Sequence, residues 1–370
     1  DRGYYEAARP ELKVPVVGAD SAVWFEGNHA VHPSAAQWLH PLFQDGKLAI
    51  VRAAGLTEAN RSHFDAQEYM DRGTPGDRHT TSGWLARHLA SAQNLPAEIV
   101  MPSLSVGSTQ ATSLLGDRDT VNLSDPDGFN LEIGPYGWRD AQRRALRTFY
   151  TGDSSWLHES GLQALDAMDL IELNAAGGYT PANGAVYPNG SFGNGLQVVA
   201  QLVKPDLGLR VAALDIGGWD THNGQGDGSG GSFAGQIGEL AQGMAALYTD
   251  FDGAGSADYA RRFTMVVIAS LVVGCMRTTM AARTTATATS CSCCRAMPTA
   301  AFTDRGRGWL PSSSSTRPTS MCRQISGECC RRSWFVVWAT TSSDSCSRAT
   351  VGIRRLVSSA ESTCPPRASC

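Results

Sequence analysis

The stretch Leu209–His222 reads LRVAALDIGGWDTH, an apolar run typical of a buried strand that leads into two glycines and a polar turn. From Phe233 to Phe251, apolar residues recur every three or four positions, which predicts an amphipathic helix. A second apolar run, FTMVV, follows at 263–267. Strand, loop, helix and strand in this order indicate a βαβ unit. We therefore expect an α/β fold with a largely parallel sheet and helices on both faces.

Upstream of this unit, strand and helix patterns continue to alternate. Ser62 followed by Asp65 is the spacing of a capping box, which predicts a helix from there to about Met70. Pro102 cannot donate a ladder hydrogen bond, so it predicts an edge or a break in its strand. The other predicted elements are strands at 48–55 and 99–106, helical segments at 83–90, 137–175 and 196–203, and a long loop at 177–195. Residues 1–267 are thus expected to form one α/β domain.

Two polar clusters follow predicted strands, where ligands bind in sheets of this kind. The first is 60–65 and the second is 217–225. In the second, Asp220 and His222 offer a carboxylate and an imidazole, which suit Zn²⁺ or a similar divalent ion. Polar residues after two glycines are also ordinary turn residues, so the spacing alone leaves both interpretations open. Whether Gln225 contributes is open as well.

Ser62 is the candidate nucleophile of the first cluster. At a helix N-terminus, free N–H groups and the helix dipole favour an anionic ester. Arg61 and His63, on either side, are candidates for orienting the ester oxygens. The alternative is structural, because a serine in a capping box needs no catalytic purpose and its two neighbours are also ordinary loop residues.

Residue usage changes abruptly near residue 270. All eight histidines lie at or before His222 and all three lysines at or before Lys204, whereas all ten cysteines lie at or after Cys275. From Cys275 onward there are 13 arginines and four acidic residues, a formal charge of +9, which leaves −13 of the total −4 for residues 1–274. Domain boundaries rarely change three residue types together, so the change indicates another cause.

A shift of reading frame explains the change. Read one base earlier, a threonine codon encodes Asn, Asp, His or Tyr, and an alanine codon encodes Gly, Arg, Ser or Cys. Thr284–Ser290, TTATATS, is then compatible with Asp-His-Gly-His-Gly-Asn-Val. Stretches on either side also decode to globular sequence in the same frame. We interpret 268–370 as an out-of-frame translation that begins near Ile268, and we expect no native domain there.

The alternative is a natural tail rich in Ser, Thr, Arg and Cys, either disordered or held by disulfides. Its cysteines lack paired C-x-x-C spacing, which disfavours a zinc site. No apolar run is long enough for a transmembrane segment. The first residues, DRGYY, include neither an initiator Met nor a signal-like stretch, so we expect the chain to begin inside a domain.

Three motifs carry a resemblance to a known family. NRSHFDAQ at 60–67, SGWLAR at 82–87 and GGWDTH at 217–222 resemble the bacterial domain-of-unknown-function family 1501, and the likeness extends over residues 1–267. That family is similar to the alkaline phosphatase-like superfamily, which hydrolyses or transfers phosphate and sulfate esters with one or two bound metals. Its members commonly carry a twin-arginine export signal, which implies a periplasmic or extracellular location for the intact protein.

The resemblance also implies a metal-ligand set. Asp220 and His222 would be ligands, although only one residue separates them where the superfamily usually has three. A further Asp, from the first strand, would lie upstream of Asp1. An Asp-His pair and another His would correspond to the decoded Asp-His-Gly-His, which here is Thr284–Thr287. Threonine and alanine cannot replace these ligands, so we expect the chain as it stands to bind metal poorly and to be inactive.

We therefore expect a fragment of an exported hydrolase of phosphate or sulfate esters that depends on a divalent metal, most simply zinc. The alternative is a non-catalytic exported protein that keeps the fold and binds an envelope component or glycan. Nucleic-acid binding is disfavoured, because the arginine-rich charge falls in the out-of-frame segment. A sheet that lacks strands would leave edges bare, so we expect poor solubility.

Other distinctive residues are expected to be structural. Trp84 and Arg87 should pack and pair within the fold, and Trp219 should pack beneath its loop rather than line a pocket. The remaining histidines with no evident partner in sequence are interpreted as surface or core residues; they are His79, His88 and His158.

Overall fold

A computed structural model describes residues 2–27, 29–51, 62–92, 95, 99–131, 134–219, 224–269, 299–302 and 333–339. The helices in this part of the chain are α1 (Arg2–Ala8), α2 (Pro33–Gln44), α3 (His63–Arg72), α4 (Trp84–Ser91), α5 (Arg139–Tyr150), α6 (Trp156–Ala175), α7 (Ser191–Val203) and α8 (Ser232–Phe251). The strands are β1 (Val23–Glu26), β2 (His29–Val31), β3 (Leu48–Val51), β4 (Ser103–Val106), β5 (Thr120–Leu123), β6 (Val211–Ile216), β7 (Phe263–Ala269), β8 (Thr299–Phe302) and β9 (Ser333–Ala339).

Seven of the described strands form one sheet in the order β3-β8-β7-β9-β6-β4-β5, and β1 and β2 form a separate antiparallel pair. β4 pairs in parallel with β5 and with β6. The other pairings of the large sheet are antiparallel, because β8 and β9 run against both of their neighbours. Strands β3, β4, β5, β6 and β7 therefore all point the same way.

The expected α/β class is confirmed, and parallel pairing is confirmed for the three strands β5, β4 and β6. The expectation of a largely parallel sheet is wrong for the rest of the described sheet. The reason is that two strands from the segment 268–370 lie between strands that would otherwise be parallel neighbours. Most of that segment lies outside the described residues, so its interpretation as an out-of-frame translation stays a prediction.

Helices cover both faces of the sheet, as the sequence predicts. Alternate residues of β6 point to opposite sides. Ala212 and Leu214 join the main core, which is built with α7 and α8. Val211 and Ala213 pack on the other side against Leu85 and Leu89 of α4. A strand buried on both faces explains why residues 211–214 form a continuous apolar run rather than an alternating pattern.

Two helix boundaries differ from the predictions: the start of α7 and the turn that separates α5 from α6. Helix α7 begins at Ser191, so the predicted loop at 177–195 is too long. Its early glycines are points of close packing: a Cβ on Gly193 would lie 1.8 Å from the Pro188 carbonyl oxygen, and one on Gly195 would lie 2.7 Å from a Leu214 methyl group. The predicted helix at 137–175 is two helices, α5 and α6.

The strand predicted at 99–106 begins only after Pro102, at Ser103, as a proline break requires. The strand predicted at 48–55 is observed as β3 up to Val51, and 52–55 lie outside the described residues. Within the described part of the chain, no helix is long and apolar enough to cross a membrane.

Candidate active site

Ser62 occupies the position that the capping pattern predicts. It is the N-cap of α3, with an extended backbone, and its Oγ accepts a hydrogen bond from the backbone N–H of Asp65 at 3.3 Å. His63 is the first residue of the helix, but its side chain lies outside what the structure describes. Arg61 also lies outside the described residues. Of the three predicted catalytic residues, only the serine side chain can be located.

A second arginine, which the sequence analysis did not single out, lies beside the first turn of α3. The guanidinium of Arg78 forms an ion pair with Asp65, and its Nε donates to the Tyr69 hydroxyl at 3.3 Å. The hydrogen bond with Tyr69, followed by the charge of Asp65, raises the pKa of Arg78. Arg78 lies in a polar loop after α3, and nothing in its local sequence indicates that the loop folds back along the helix.

The loop after β6 begins with a tightly packed corner. Gly218 has φ = +90°, and a Cβ there would lie 3.0 Å from the Gln236 side-chain oxygen. The Gln236 amide donates to the Gly217 carbonyl. Trp219 is 2% exposed, and its Nε1 donates to the Ile216 carbonyl at 2.9 Å. The prediction that Trp219 packs beneath its loop is therefore confirmed.

The predicted metal ligands Asp220 and His222 lie outside the described residues, as does Thr284–Thr287. Among the residues that are described, no three His, Cys, Asp or Glu side chains come together as a potential metal site. These residues alone do not supply the donor set that zinc requires. The assignment of Asp220 and His222 stays a prediction.

From residue 224 onward, where the structure again describes the chain, a glycine-rich turn leads into α8. Asp227 stabilises it by accepting the N–H groups of Ser229 and Gly230 with its Oδ1, each at 3.0 Å. His32 fixes it from outside, since its Nε2 lies 3.1 Å from the Gly228 carbonyl oxygen. The turn is thereby held against the N-terminal part of the chain.

A cleft of about 220 Å³ lies between this turn, the start of α8 and the N-terminal segment. Its polar lining comes from Tyr5, Arg9, His32 and Gln225, and Phe233 contributes an apolar wall. Gln225, whose role the sequence left open, thus lines a cleft. No local pattern groups Gln225 with residues from the first part of the chain, because only the tertiary fold brings them together.

His32 is a neutral structural residue in this arrangement. Its Nδ1 accepts the backbone N–H of Ser34 at 3.1 Å, so the proton is on Nε2 and is donated to Gly228. Burial lowers the pKa of His32, with the Gly228 carbonyl and Asp20 opposing this effect. Both ring nitrogens are hydrogen-bonded to the backbone, so we assign His32 a structural role in the wall of the cleft.

Trp84 and Arg87 are structural, as predicted. The Arg87 guanidinium donates to the Ser82 carbonyl at 2.6 Å and to the Arg72 carbonyl, which joins the end of α3 to the start of α4. Trp84 packs against the smaller apolar cluster of that face.

The three histidines for which the sequence indicates no partner lie at the surface or are partly buried, as predicted. His79 is exposed, and burial lowers the pKa of the partly buried His88. The ring of His158 stacks on Phe149 with 5.4 Å between centroids, and its Nδ1 lies 2.6 Å from the Ser155 hydroxyl.

The strands that precede the two predicted clusters, β3 and β6, point the same way, and β8, β7 and β9 lie between them in the sheet. Four strand spacings amount to about 19 Å between the two strands.

Comparison of the chain with models of protein families, with curated proteins and with solved structures finds no match. The resemblance to family 1501 and to the alkaline phosphatase-like superfamily thus stays a prediction from the three motifs.

Proposed function

We propose that residues 1–267 are the scaffold of an exported, metal-dependent hydrolase of phosphate or sulfate esters with an alkaline phosphatase-like fold. One observation carries the proposal. Five strands of the sheet are co-oriented, and the two motif-bearing clusters follow the carboxyl ends of two of them, β3 and β6. Sheets of this class bind their ligands at that edge.

The proposed nucleophile is Ser62. Its Oγ accepts the backbone N–H of Asp65, so the hydroxyl lies at the N-terminus of α3. The N-terminal end of α3 favours negative charge on an ester held there. Arg78, whose guanidinium forms an ion pair with Asp65, lies alongside the same turn. A zinc ion held by Asp220 and His222 would neutralise ester oxygens and lower the pKa of the serine hydroxyl.

We expect the damaged part of the site to be the one that follows β7. This strand points the same way as β3 and β6, so the chain leaves it at the same edge of the sheet, and the decoded Asp-His-Gly-His falls in the segment that follows. In the protein as it stands, these positions are Thr284–Thr287, which lack metal-binding side chains. We therefore expect activity only after the reading frame is restored.

The first experiment is to resequence the gene across the codons for Val267 to Ser290. The restored and the present proteins are then compared for zinc content and for hydrolysis of 4-nitrophenyl phosphate and sulfate. We expect activity in the restored protein alone, and a loss of more than about 100-fold in kcat for Ser62→Ala. Ser155→Ala, at the N-terminus of α6, is the matched control and should retain activity.

A second function, binding without catalysis, is favoured by the cleft that Tyr5, Arg9 and Gln225 line. Its partner would be an envelope component or a glycan. A restored protein that retains its full ligand set yet hydrolyses neither ester would support this reading and would contradict the hydrolase proposal. An unchanged reading frame on resequencing would count against the hydrolase as well.

A further inference from the structure

His32 joins two parts of the chain that are distant in sequence. It is the N-cap of α2, and its Nδ1 accepts the backbone N–H of Ser34 at 3.1 Å. Its Nε2 lies 3.1 Å from the carbonyl oxygen of Gly228, which is 196 residues further along the chain. The side chain is 8% exposed. One buried ring thus connects the start of a helix to the glycine-rich turn 224–231.

The turn is closely packed at the residue that His32 holds. Gly228 has φ = +85°, and a Cβ there would lie 2.1 Å from the carbonyl oxygen of Lys13. Gly228 and Gly230 also line the cleft, together with His32. A movement of the turn at Gly228 would therefore change the width of the cleft.

The two hydrogen bonds of His32 together require the neutral ring. A protonated imidazole carries N–H groups on both nitrogens and has no acceptor, so its Nδ1 would meet the N–H of Ser34 as a second donor. Its charge would also lie at the N-terminal end of α2, where the helix dipole disfavours a cation. Protonation would thus remove the cap of α2 and place a positive charge where the fold disfavours one.

The groups around His32 leave this preference in place. The titratable residues on the adjoining segments include Tyr5, Arg9, Lys13 and Asp20 near the N-terminus, His29 in β2, His40 in α2, Asp227 in the turn and Glu239 in α8. Burial lowers the pKa of His32, while the bond with Gly228 and the charge of Asp20 oppose this effect. Asp20 is exposed, so solvent screens its charge. Two backbone N–H groups of the turn lower the pKa of Asp227, which therefore stays ionised in mild acid.

The direction of the pH dependence follows from these contacts. Because the pKa of His32 is lowered, the folded protein binds fewer protons at this ring than the unfolded chain does. The stabilisation by the neutral ring is complete above the ordinary pKa of 6.5, and it is lost as the pH falls below that value.

We propose that His32 is a pH-sensitive latch, which holds the turn 224–231 against the start of α2 when the ring is neutral and releases the turn when the ring is protonated. Release widens the cleft in mildly acidic solution. The latch acts on the cleft and involves no ester chemistry, so this inference does not depend on the proposed hydrolase function.

The test is hydrogen–deuterium exchange of the full chain, measured by mass spectrometry at about pH 7.5 and about pH 5 and corrected for intrinsic exchange rates. Exchange reports local opening, so we expect protection of the amides in 224–231 and at Ser34 to fall about fivefold or more at the lower pH.

Two substitutions each keep one half of the latch. The amide of His32→Gln can still donate to Gly228 but does not titrate, so protection of the turn should be equal at both pH values. His32→Asn can still cap α2 but is too short to reach Gly228, so the turn should be weakly protected at both. His40→Gln is the matched control on the same helix, because His40 contacts Gln44 and Phe25, and it should keep the pH response of the parent.

A parent chain whose turn is equally protected at both pH values overturns the proposal. So does a parental pH response in H32Q, which would assign the response to another group, such as His88, whose pKa burial also lowers. Circular dichroism at both pH values detects a variant that does not fold. H32N also lacks a titrating group, so a parental response in H32N overturns the proposal even if H32Q fails to fold.

Discussion

The two helix pairs α5–α6 and α7–α8 both rely on charged side chains, but in opposite surroundings. In α5–α6 the ion pairs lie at the surface, where Asp169 and Glu172 are 47% and 42% exposed. In α7–α8 the helices pack through buried apolar side chains, and one carboxylate, that of Asp250, is fully enclosed at the end of α8. The comparison separates charges that orient a surface helix from a charge that stabilises the core.

Asp250 accepts hydrogen bonds from four donors in two parts of the chain, the segment before α7 and the residue directly after it. The hydroxyl groups of Tyr179 and Tyr187 donate to its Oδ2 at 2.5 and 2.7 Å. The N–H of Ala182 and the ammonium of Lys204 donate to its Oδ1, both at 2.6 Å. Burial, followed by the bond to Asp250, raises the pKa of Tyr187, so this hydroxyl keeps the proton that it donates. The network fixes the segment before α7 onto α8.

The largest expected effect is that of breaking this network. Asp250→Ala leaves the partly buried ammonium of Lys204 and two tyrosine hydroxyls without their acceptor. Removal of one partner of a buried ion pair typically costs about 3–5 kcal/mol, and we expect this loss in the free energy of unfolding measured with urea. Tyr187→Phe removes one donor and should cost about 1.5–3 kcal/mol. A loss below about 1 kcal/mol for D250A would mean that the network contributes little to stability.

A pair of glycine substitutions examines the same helices through packing. A Cβ on Gly193 of α7 would lie 1.8 Å from a carbonyl oxygen, whereas nothing lies within 4 Å of one on Gly235 of α8. Gly193→Ala should therefore destabilise by about 1–3 kcal/mol, because backbone has to move. Gly235→Ala should stabilise by about 0.5–1 kcal/mol through helix propensity. Thermal denaturation of both variants checks this, and shifts of the same sign would contradict the packing assigned to Gly193.

Much of the fold could be predicted because local sequence determines it. The Ser62 cap, the break at Pro102 and the apolar stripe of α8 depend on neighbours a few residues away. The start of α7 could not be predicted, since Gly193 and Gly195 favour a loop until one sees that they allow close contact with Pro188 and Leu214. The contact partners of these two glycines, and Leu214 above all, come close to them only in the folded chain.

The candidate site was less predictable for the same reason. Ser62 and Trp219 lie in recognisable motifs, and both are found in the predicted structural roles. The cleft combines Tyr5 and His32 with Gln225, and no local pattern connects these positions. The order of the strands, which separates β3 from β6, is likewise a property of long-range pairing.

The smallest expected effect belongs to the α5–α6 pair. Arg143 contacts both Asp169 and Glu172, but these acids are about half exposed and solvent screens the interaction. Arg143→Ala should therefore lower the free energy of unfolding by only about 0.2–1 kcal/mol at low salt, and by less in 1 M NaCl, where exposed charges are screened. Urea denaturation could instead give a loss as large as that of D250A. The surface ion pairs would then hold α5 far more strongly than their exposure implies. The distinction drawn between the two helix pairs would be wrong. A small loss would show that the surface ion pairs contribute little to holding α5 on α6.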